Sequence, residues 1–203
     1  MVTANLDFYS GSNRDYLAHL CSGDACLVLV QEAKDLDLGE LVPAGWRALQ
    51  DTTSDAKAGS GLLVDASITV ERWWLVKGCD APAGGGMLPR YLCCAEVTHD
   101  SGAELVPISA HAPPPRYSGL QPGFADAVAR VVADYPQTAV VGADANQDID
   151  QWARELGSGM VAVGKQSGIC VVSRLPATDV LLDSWGESHG MTDHPAVWAT
   201  MGA

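Results

Sequence analysis

Short apolar runs separated by turn-forming residues dominate the pattern of hydrophobic and polar positions along the chain. Runs of this length that are rich in Val, Ile, Leu or aromatic residues predict strands. The predicted strands span residues 27–30, 61–64, 68–74, 91–97, 105–110, 138–141, 169–172 and 196–200. Joins that contain glycine or proline lie at 10–11, 82–86, 113–115 and 157–159, and such joins end strands and helices. The pattern therefore predicts a chain built mainly of β-strands.

Three segments, 13–21, 123–135 and 150–156, instead have the pattern of a helix. In the second of them, Phe124, Val128 and Val132 fall on one face at helical spacing. Helices are too few to alternate regularly with the strands, so repeated βαβ units are not expected. The expected architecture is a layered α/β domain in which two packed sheets are flanked by helices.

Composition limits the classes of protein that fit this pattern. The 203 residues, 47% hydrophobic and 18% charged, are typical of a globular protein and fit a single domain over 1–203. The longest apolar runs are too short to cross a bilayer, and the first residues lack the basic and apolar regions of a secretory signal. We therefore expect a cytoplasmic protein without membrane partners, whose cysteines stay reduced.

The formal net charge of −13 bears on the partners of the protein. Tight, sequence-independent binding to long duplex DNA needs a basic surface, whereas this chain has 25 acidic and 12 basic residues. A negative field still attracts a divalent cation, which then supplies the positive charge that a phosphate needs. The charge disfavours long duplex DNA and is compatible with metal-assisted chemistry on phosphate esters.

Polar residues next to apolar runs near the N-terminus are the first candidates for chemistry. Residues 3–8 alternate apolar and polar side chains, which places Asn5 and Asp7 on one face of a short strand. A strand edge at the surface gives the same pattern. The strand at 27–30 runs into a Gln-Glu pair that ends in Glu32. A carboxylate at a strand end suits a hard cation such as Mg²⁺, although a solvated strand terminus has the same sequence.

Two later predicted strands also end in polar side chains. The strand at 105–110 places His111 at its end, before three prolines that prevent further pairing. This histidine can donate a hydrogen bond to a phosphoryl oxygen or simply cap the strand, and Pro107 favours an edge strand or a bulge. The next predicted strand is followed by Asp144 and Asn146. They can orient a water and hold a phosphate, or close the strand as a polar turn.

Asp193 and His194 form the last candidate pair, before Pro195 and the final predicted strand. The carboxylate can contact a metal, and the histidine can act as a base or stabilise charge in a transition state. Asp-His pairs are also common in turns. The pair alone therefore leaves both interpretations open.

Taken in order, these motifs resemble the endonuclease/exonuclease/phosphatase family. This metal-dependent superfamily includes pancreatic-type deoxyribonuclease, abasic-site endonucleases, sphingomyelinases and inositol-polyphosphate 5-phosphatases. The matching segments are 4–7, with Asn5; 31–32, with Glu32; the glycine-rich strand start at 59–64; Arg90 before a strand; 109–114, with His111; 142–146, with Asp144 and Asn146; and 192–197, with Asp193 and His194. The resemblance covers residues 5–197, nearly the whole chain.

The resemblance implies a four-layer α/β/β/α sandwich of two mixed sheets flanked by helices, with the site where the sheet ends meet. It also implies a Mg²⁺- or Mn²⁺-dependent phosphoric ester hydrolase in which an activated water attacks phosphorus in line. The implied metal ligands are Glu32, Asp193 and Asp7. The implied catalytic residues are Asp144, which positions or deprotonates the water, and His111, His194 and Asn146. Asn5 and Arg90 are the implied substrate-binding residues.

The sequence departs from the family pattern at Cys170. An aspartate in an Ile-Asp-Tyr/His motif of the penultimate strand orients the last histidine in the family, and Cys170 stands at the matching position. Without this partner, His194 is expected to lose control of its tautomer, at a cost on the order of 10²-fold in rate. Asp179, Asp183 or His189 could replace the missing carboxylate.

Three functions remain open at this point. The leading hypothesis is a phosphodiesterase or nuclease. The chain between Asn146 and Asp193 is short for insertions that grip duplex DNA, so a small or single-stranded nucleic acid substrate is expected rather than long duplex DNA. The alternatives are a phosphomonoesterase on a small phosphorylated substrate, and a binding or structural protein whose catalysis is weakened by Cys170.

Overall fold

The computed structural model describes residues 1–6, 13–34, 36–52 and 59–202. The strands, in chain order, are β1 (Val2–Asn5), β2 (Leu27–Gln31), β3 (Arg47–Leu49), β4 (Gly61–Val64), β5 (Ile68–Cys79), β6 (Arg90–His99), β7 (Glu104–His111), β8 (Ala139–Asp144), β9 (Val161–Gln166), β10 (Ile169–Ser173), β11 (Ala177–Asp183) and β12 (Ala196–Met201). The α-helices are α1 (Asn13–Leu20), α2 (Leu38–Leu41), α3 (Gln121–Asp134), α4 (Ile149–Leu156) and α5 (Trp185–Ser188), and a 3-10 helix covers Pro115–Leu120. Each strand and helix predicted above is present.

The strands form two six-stranded sheets. Sheet A has the order β11-β12-β1-β2-β4-β3, and sheet B has the order β5-β6-β7-β8-β10-β9. A parallel pair lies at the centre of each sheet, β1 with β2 and β7 with β8. The other pairs are antiparallel. Both sheets are therefore mixed, as the resemblance implies.

Buried side chains define the order of the layers. Val28 and Val30 of sheet A pack in one core with residues of α1 and α2. Val141 of sheet B packs in a second core with residues of α3 and α4. Leu29 of sheet A and Cys93 of sheet B share a third core, which lies between the sheets. The layers run helix, sheet, sheet, helix, and the predicted fold class is confirmed.

Gly142 lets the two sheets approach each other near the end of β8. A Cβ atom added at this position would lie 2.7 Å from Oγ1 of Thr3 and 2.8 Å from Cδ2 of Leu29, both in sheet A. Any side chain here must displace part of sheet A. Ala143, the next residue, faces the helices instead, so the residue between the glycine and Asp144 serves packing.

The structure also differs from the sequence predictions in several strands. β3, β9 and β11 were not predicted, and β5 continues well past residue 74. β7 is an interior strand of sheet B, so Pro107 does not mark an edge. Proline has no N–H to donate, and the β6–β7 ladder is interrupted beside it, between the pairs Cys94↔Ile108 and Val97↔Leu105.

Within the described ranges, none of the helices has the length and apolar character needed to cross a membrane.

The neighbouring cysteines of β6 face opposite sides of sheet B. Cys93 packs between the sheets and Cys94 packs against the helices. Both side chains are fully buried, so both serve the cores.

Candidate active site

The candidate site lies at one edge of both sheets, where the central strands end. β1 and β2 end side by side at Asn5 and Gln31, and β7 and β8 end side by side at His111 and Asp144. The antiparallel partners β6, β10 and β12 begin at the same edge. The polar residues that follow or precede these strands are therefore brought together, although they are far apart in the sequence.

The carboxylate of Asp144 is the centre of this cluster and is only 2% exposed. The Asn5 amide donates a hydrogen bond to its Oδ2 at 3.0 Å, and the backbone N–H of Asn146 donates to its Oδ1 at 3.2 Å. Burial raises the pKa of the Asp144 carboxyl, while the charge of His194 and the bond from Asn5 oppose that rise. A carboxylate with a raised pKa and a fixed orientation is suited to accept a proton from water.

His111 acts as a neutral hydrogen-bond donor in this arrangement. Nη1 of Arg90 lies 2.8 Å from its Nδ1, and a guanidinium can only donate, so the ring proton is on Nε2. This Nε2 lies 3.5 Å from Oε1 of Glu32 and 3.5 Å from Oδ2 of Asp144. Burial, assisted by the charges of Arg90 and His194, lowers the pKa of His111 well below its ordinary value. Both the hydrogen bond from Arg90 and the lowered pKa therefore indicate that the His111 ring is neutral.

His194 faces the same carboxylate from sheet A. Its Nε2 lies 3.9 Å from Oδ2 of Asp144 and 3.1 Å from Oδ1 of Asp193. The Asp193 side chain is 78% exposed, so it borders the solvent side of the cluster. Oγ1 of Thr192 accepts from the backbone N–H of His194 at 3.2 Å and donates to the carbonyl of Asn5 at 3.0 Å. Thr192 therefore ties the last motif to the first strand.

Cys170 does not contact the ring of His194, contrary to the expectation from the motif. Cys170 pairs with Ala143 on β8, and its side chain is buried in the core between sheet B and the helices. Asp144 faces the opposite side of the sheet, because successive side chains alternate. The group at Nδ1 of His194 is the backbone carbonyl of Ser167, at 2.8 Å.

The other proposed partners of His194 have contacts elsewhere. Oδ2 of Asp183 lies 2.6 Å from Nε2 of His19. The ring of His189 stacks on Trp185. The Asp179 carboxylate accepts a hydrogen bond from the hydroxyl of the preceding threonine. The partner of Nδ1 of His194 is therefore a backbone carbonyl and not a substitute carboxylate.

Asn146 reaches the cluster through its backbone. Its side-chain Nδ2 donates to the carbonyl of Ala112 at 3.0 Å. The Gln121 side chain, at the start of α3, donates to the carbonyls of Pro113 and Asn146 at 3.0 and 3.1 Å. These bonds hold the segments after β7 and β8 together. The role of the Asn146 amide toward a substrate stays a prediction.

A buried polar network lies directly below the cluster and joins the two sheets. Nε2 of Gln31 lies 3.2 Å from each of Oγ1 of Thr3, Oγ of Ser109 and the carbonyl of Gly142. Ser109 in turn donates to the carbonyl of Val30 at 2.7 Å. Thr3, Gln31 and Ser109 are all fully buried. Satisfied buried networks fix one arrangement of a core, and this one fixes the strand end that carries Glu32.

Backbone strain is concentrated around the cluster. Among the described residues, four other than glycine have positive φ, and three of them border the site: Glu32 (55°), Asn146 (51°) and Ser167 (51°). Positive φ is uncommon for Glu and Ser, and it costs on the order of 1–3 kcal/mol per residue. The surrounding structure therefore holds these residues in place against their local preference.

The donor set fits a hard cation that keeps much of its water. Within the described ranges, no group of three or more His, Cys, Asp and Glu side chains is arranged to enclose a metal. The Glu32 carboxylate is 31% exposed and lies next to His111. Mg²⁺ is commonly bound through one or two carboxylates and several waters, so Glu32 with the exposed Asp193 is compatible with it. The third predicted ligand, Asp7, lies outside the described residues.

The structure therefore brings together Asn5, Glu32, Arg90, His111, Asp144, Asp193 and His194, all predicted from the sequence. Three contributions were missed: the hydroxyl of Thr192, the carbonyl of Ser167 and the bridging role of Gln31. A Ser-Gly dipeptide at 167–168 is a turn signal, but the position of its carbonyl depends on the pairing of two strands.

No protein-family model and no curated protein sequence matches the chain. Solved structures do match it in fold. D. rerio TDP2, solved in complex with a single-strand DNA product, has a TM-score of 0.78 and 16% identity over 100% of this chain and 98% of that chain. An endonuclease/exonuclease/phosphatase family protein from Bacteroides thetaiotaomicron has a TM-score of 0.72 and 14% identity, covering 98% and 96%. The human Nocturnin catalytic domain with a bound sulfate anion has a TM-score of 0.65 and 11% identity, covering 93% and 86%.

Proposed function

We propose that this chain, which has the fold of the endonuclease/exonuclease/phosphatase family, is a divalent-metal-dependent phosphodiesterase or nuclease. The observation that carries the proposal is the buried Asp144 carboxylate, which Asn5 orients and which lies within 3.9 Å of the ring nitrogens of His111 and His194. A fixed base surrounded by groups that stabilise charge is the arrangement that water attack on phosphorus requires. The nucleic acid product bound to the TDP2 neighbour is consistent with it.

In this proposal, Asp144 accepts the proton of the attacking water, and Asn5 holds the carboxylate in position. The water oxygen forms its bond to phosphorus while the bond to the leaving oxygen breaks. The Nε2–H of His111 stabilises the charge that develops on the phosphoryl oxygens, and Nε2 of His194 faces the same centre, where it can exchange a proton with the reacting groups. Each of these side chains is held by a second group, so little reorganisation accompanies the reaction.

Glu32 and Asp193 are the described residues that would hold the divalent ion, with Asp7 as the third ligand implied by the motif. The ion, when bound, supplies positive charge that polarises the phosphoryl group. The negative charge of the protein, −13, favours the capture of a cation at this edge.

Arg90 is the proposed contact for the phosphate itself. Its Nη1 is used by His111, but its Nε is buried and has no hydrogen-bond partner within the described part of the chain. Buried guanidinium groups usually pair all their donors, so this N–H is a candidate donor to a substrate oxygen. The sulfate bound to the Nocturnin neighbour shows that another protein of this fold takes a tetrahedral anion.

Replacement of Glu32 by Gln tests the metal dependence. We expect E32Q to raise the Mg²⁺ or Mn²⁺ concentration needed for half-maximal hydrolysis of bis(p-nitrophenyl) phosphate by about tenfold or more, because a neutral amide binds a hard cation less well. E71Q, which changes an exposed glutamate of β5, is the matched control and should behave as wild type. Activity that survives both chelation and E32Q would contradict the proposal of a metal-dependent enzyme.

The acidic surface predicts a preference for short or single-stranded nucleic acid. We expect binding of a single-stranded oligonucleotide to weaken only modestly between about 50 and 200 mM salt, because few phosphates are neutralised by the protein. Fluorescence anisotropy over that range measures the slope. Tight binding to plasmid DNA with a steep dependence on salt would contradict this choice of substrate.

A phosphomonoesterase is the alternative within the same chemistry. Release of inorganic phosphate from a nucleotide or sugar phosphate, compared with cleavage of an oligonucleotide, separates the two activities. The further alternative, a binding protein with weakened catalysis, was motivated by Cys170. Nδ1 of His194 has the carbonyl of Ser167 as a partner. The absence of a carboxylate at position 170 is therefore a weaker reason to expect lost catalysis.

A further inference from the structure

The ring of His194 is held by a backbone carbonyl on a neighbouring hairpin. Its Nδ1 lies 2.8 Å from the carbonyl oxygen of Ser167. A carbonyl oxygen can only accept a hydrogen bond, so this contact requires the proton on Nδ1. We propose that the turn formed by Ser167 and Gly168 is a positioning element that sets the tautomer and orientation of His194, in place of the carboxylate expected at the motif position of Cys170. The inference rests on the proposed function for its catalytic consequence.

The geometry of the hairpin determines where this carbonyl lies. β9 and β10 are antiparallel, and Gln166 pairs with Ile169, so only Ser167 and Gly168 connect the strands. Both have positive φ, 51° and 85°, which is the signature of a tight two-residue turn that matches the twist of the strands. The turn is also anchored to β8, because the N–H of Ala145 donates to the carbonyl of Gly168 at 2.8 Å.

Glycine suits the second turn position for two independent reasons. Its φ of 85° lies in the left-handed region, which side chains rarely adopt. A Cβ atom added at Gly168 would also lie only 2.8 Å from Oδ1 of Asp144. Ser167 is different, since its side chain is exposed and only its backbone conformation matters.

The consequence for the site is that Nε2 is the nitrogen that faces the reacting centre. It lies 3.1 Å from Asp193 and 3.9 Å from Asp144. A ring with the proton on Nδ1 keeps this orientation, whereas loss of the carbonyl would let the ring rotate. Unlike a carboxylate, the carbonyl carries no net charge, so it fixes the ring without adding a further acid to an acidic site.

Two substitutions of the exposed Ser167 separate backbone conformation from side-chain chemistry. Asn tolerates positive φ and favours this turn, whereas a β-branched Val does not. We expect S167N to keep kcat within about twofold of wild type and S167V to lower kcat by about tenfold or more, with KM little changed. D179V is the matched control, because Asp179 also has positive φ, 49°, and is exposed on β11. It should carry similar strain and leave kcat unchanged.

A double-mutant cycle and a spectroscopic measurement complete the test. In an H194A background S167V should cause no further loss of kcat, because both changes act on the same group. The ¹⁵N shifts of His194 in the wild-type protein should show the proton on Nδ1 when the ring is neutral. An equal loss from S167V with and without His194, or a neutral ring with its proton on Nε2, overturns the inference. If the wild type hydrolyses no phosphodiester, the proposed function fails while the ¹⁵N measurement still decides the tautomer.

Discussion

D144N is expected to lower kcat for phosphodiester hydrolysis by about 10³-fold or more while leaving the protein folded. The substituted asparagine side chain has nearly the same shape as the aspartate, so its amide oxygen can keep the bond from Asn5, whereas its NH₂ group cannot accept the bond from the N–H of Asn146. An amide cannot take a proton from water, and general-base contributions are about 10²–10⁴-fold. The measurement is kcat at saturating metal on an activated diester.

The stability of D144N makes the prediction more specific. Asp144 is 2% exposed, and burial raises the pKa of its carboxyl, so the native state disfavours the charge that catalysis uses. A neutral amide removes that charge but loses the bond from the N–H of Asn146. Because these two effects oppose each other, we expect the free energy of unfolding to stay within about 1 kcal/mol of wild type. D126N, which changes an exposed aspartate of α3, should alter neither kcat nor stability. Loss of kcat accompanied by unfolding would assign Asp144 to the fold instead.

Much of the site could be predicted because its residues follow strand ends. Apolar runs end in Asn5, Glu32, His111 and Asp144, and parallel pairing of the central strands brings such ends to one edge. The parts that were missed depend on pairing between distant segments. The sequence at 167–168 signals a turn, but only the β8–β10 register places that turn beside His194.

The missed strands lack the patterns on which sequence prediction depends. β3 has three residues, too few to show alternation. In β11, Val180, Leu181 and Leu182 are consecutive and all at least 40% exposed, so the strand has no buried face to give it a period of two. β9 contains Gly164, which weakens a strand pattern. Their existence follows from pairing with β4, β12 and β10, respectively.

Cys170 shows how a motif position and a spatial position can differ. By sequence it stands where the family has an aspartate that orients the last histidine. On β10 the residues that face sheet A are Ile169 and Val171, which pack with Val197 of β12. Cys170 faces the other way, and burial raises the pKa of its thiol far above the ordinary value. It behaves as a small apolar side chain of the core.

C170D is therefore expected to destabilise the protein without giving His194 a new hydrogen-bond partner. An aspartate at position 170 is enclosed by the core between sheet B and the helices, where Cys170 is 0% exposed and packs among apolar side chains. Burial of an unpaired carboxyl costs about 3 kcal/mol or more, and urea denaturation measures it. C170A, which removes the sulfur without adding a charge, should cost only about 1 kcal/mol.

The activity of C170D separates the two accounts of His194. If the carbonyl of Ser167 orients the ring, an aspartate at position 170 adds nothing, and kcat measured well below the unfolding temperature does not rise. If the family geometry applied, the new carboxylate would contact the ring and raise kcat on the order of 10²-fold. Such a rise in a stably folded C170D protein would show that the side chain at position 170 reaches the site. Because Cys170 and Asp144 lie on opposite faces of sheet B, the expected result is loss of stability without gain of activity.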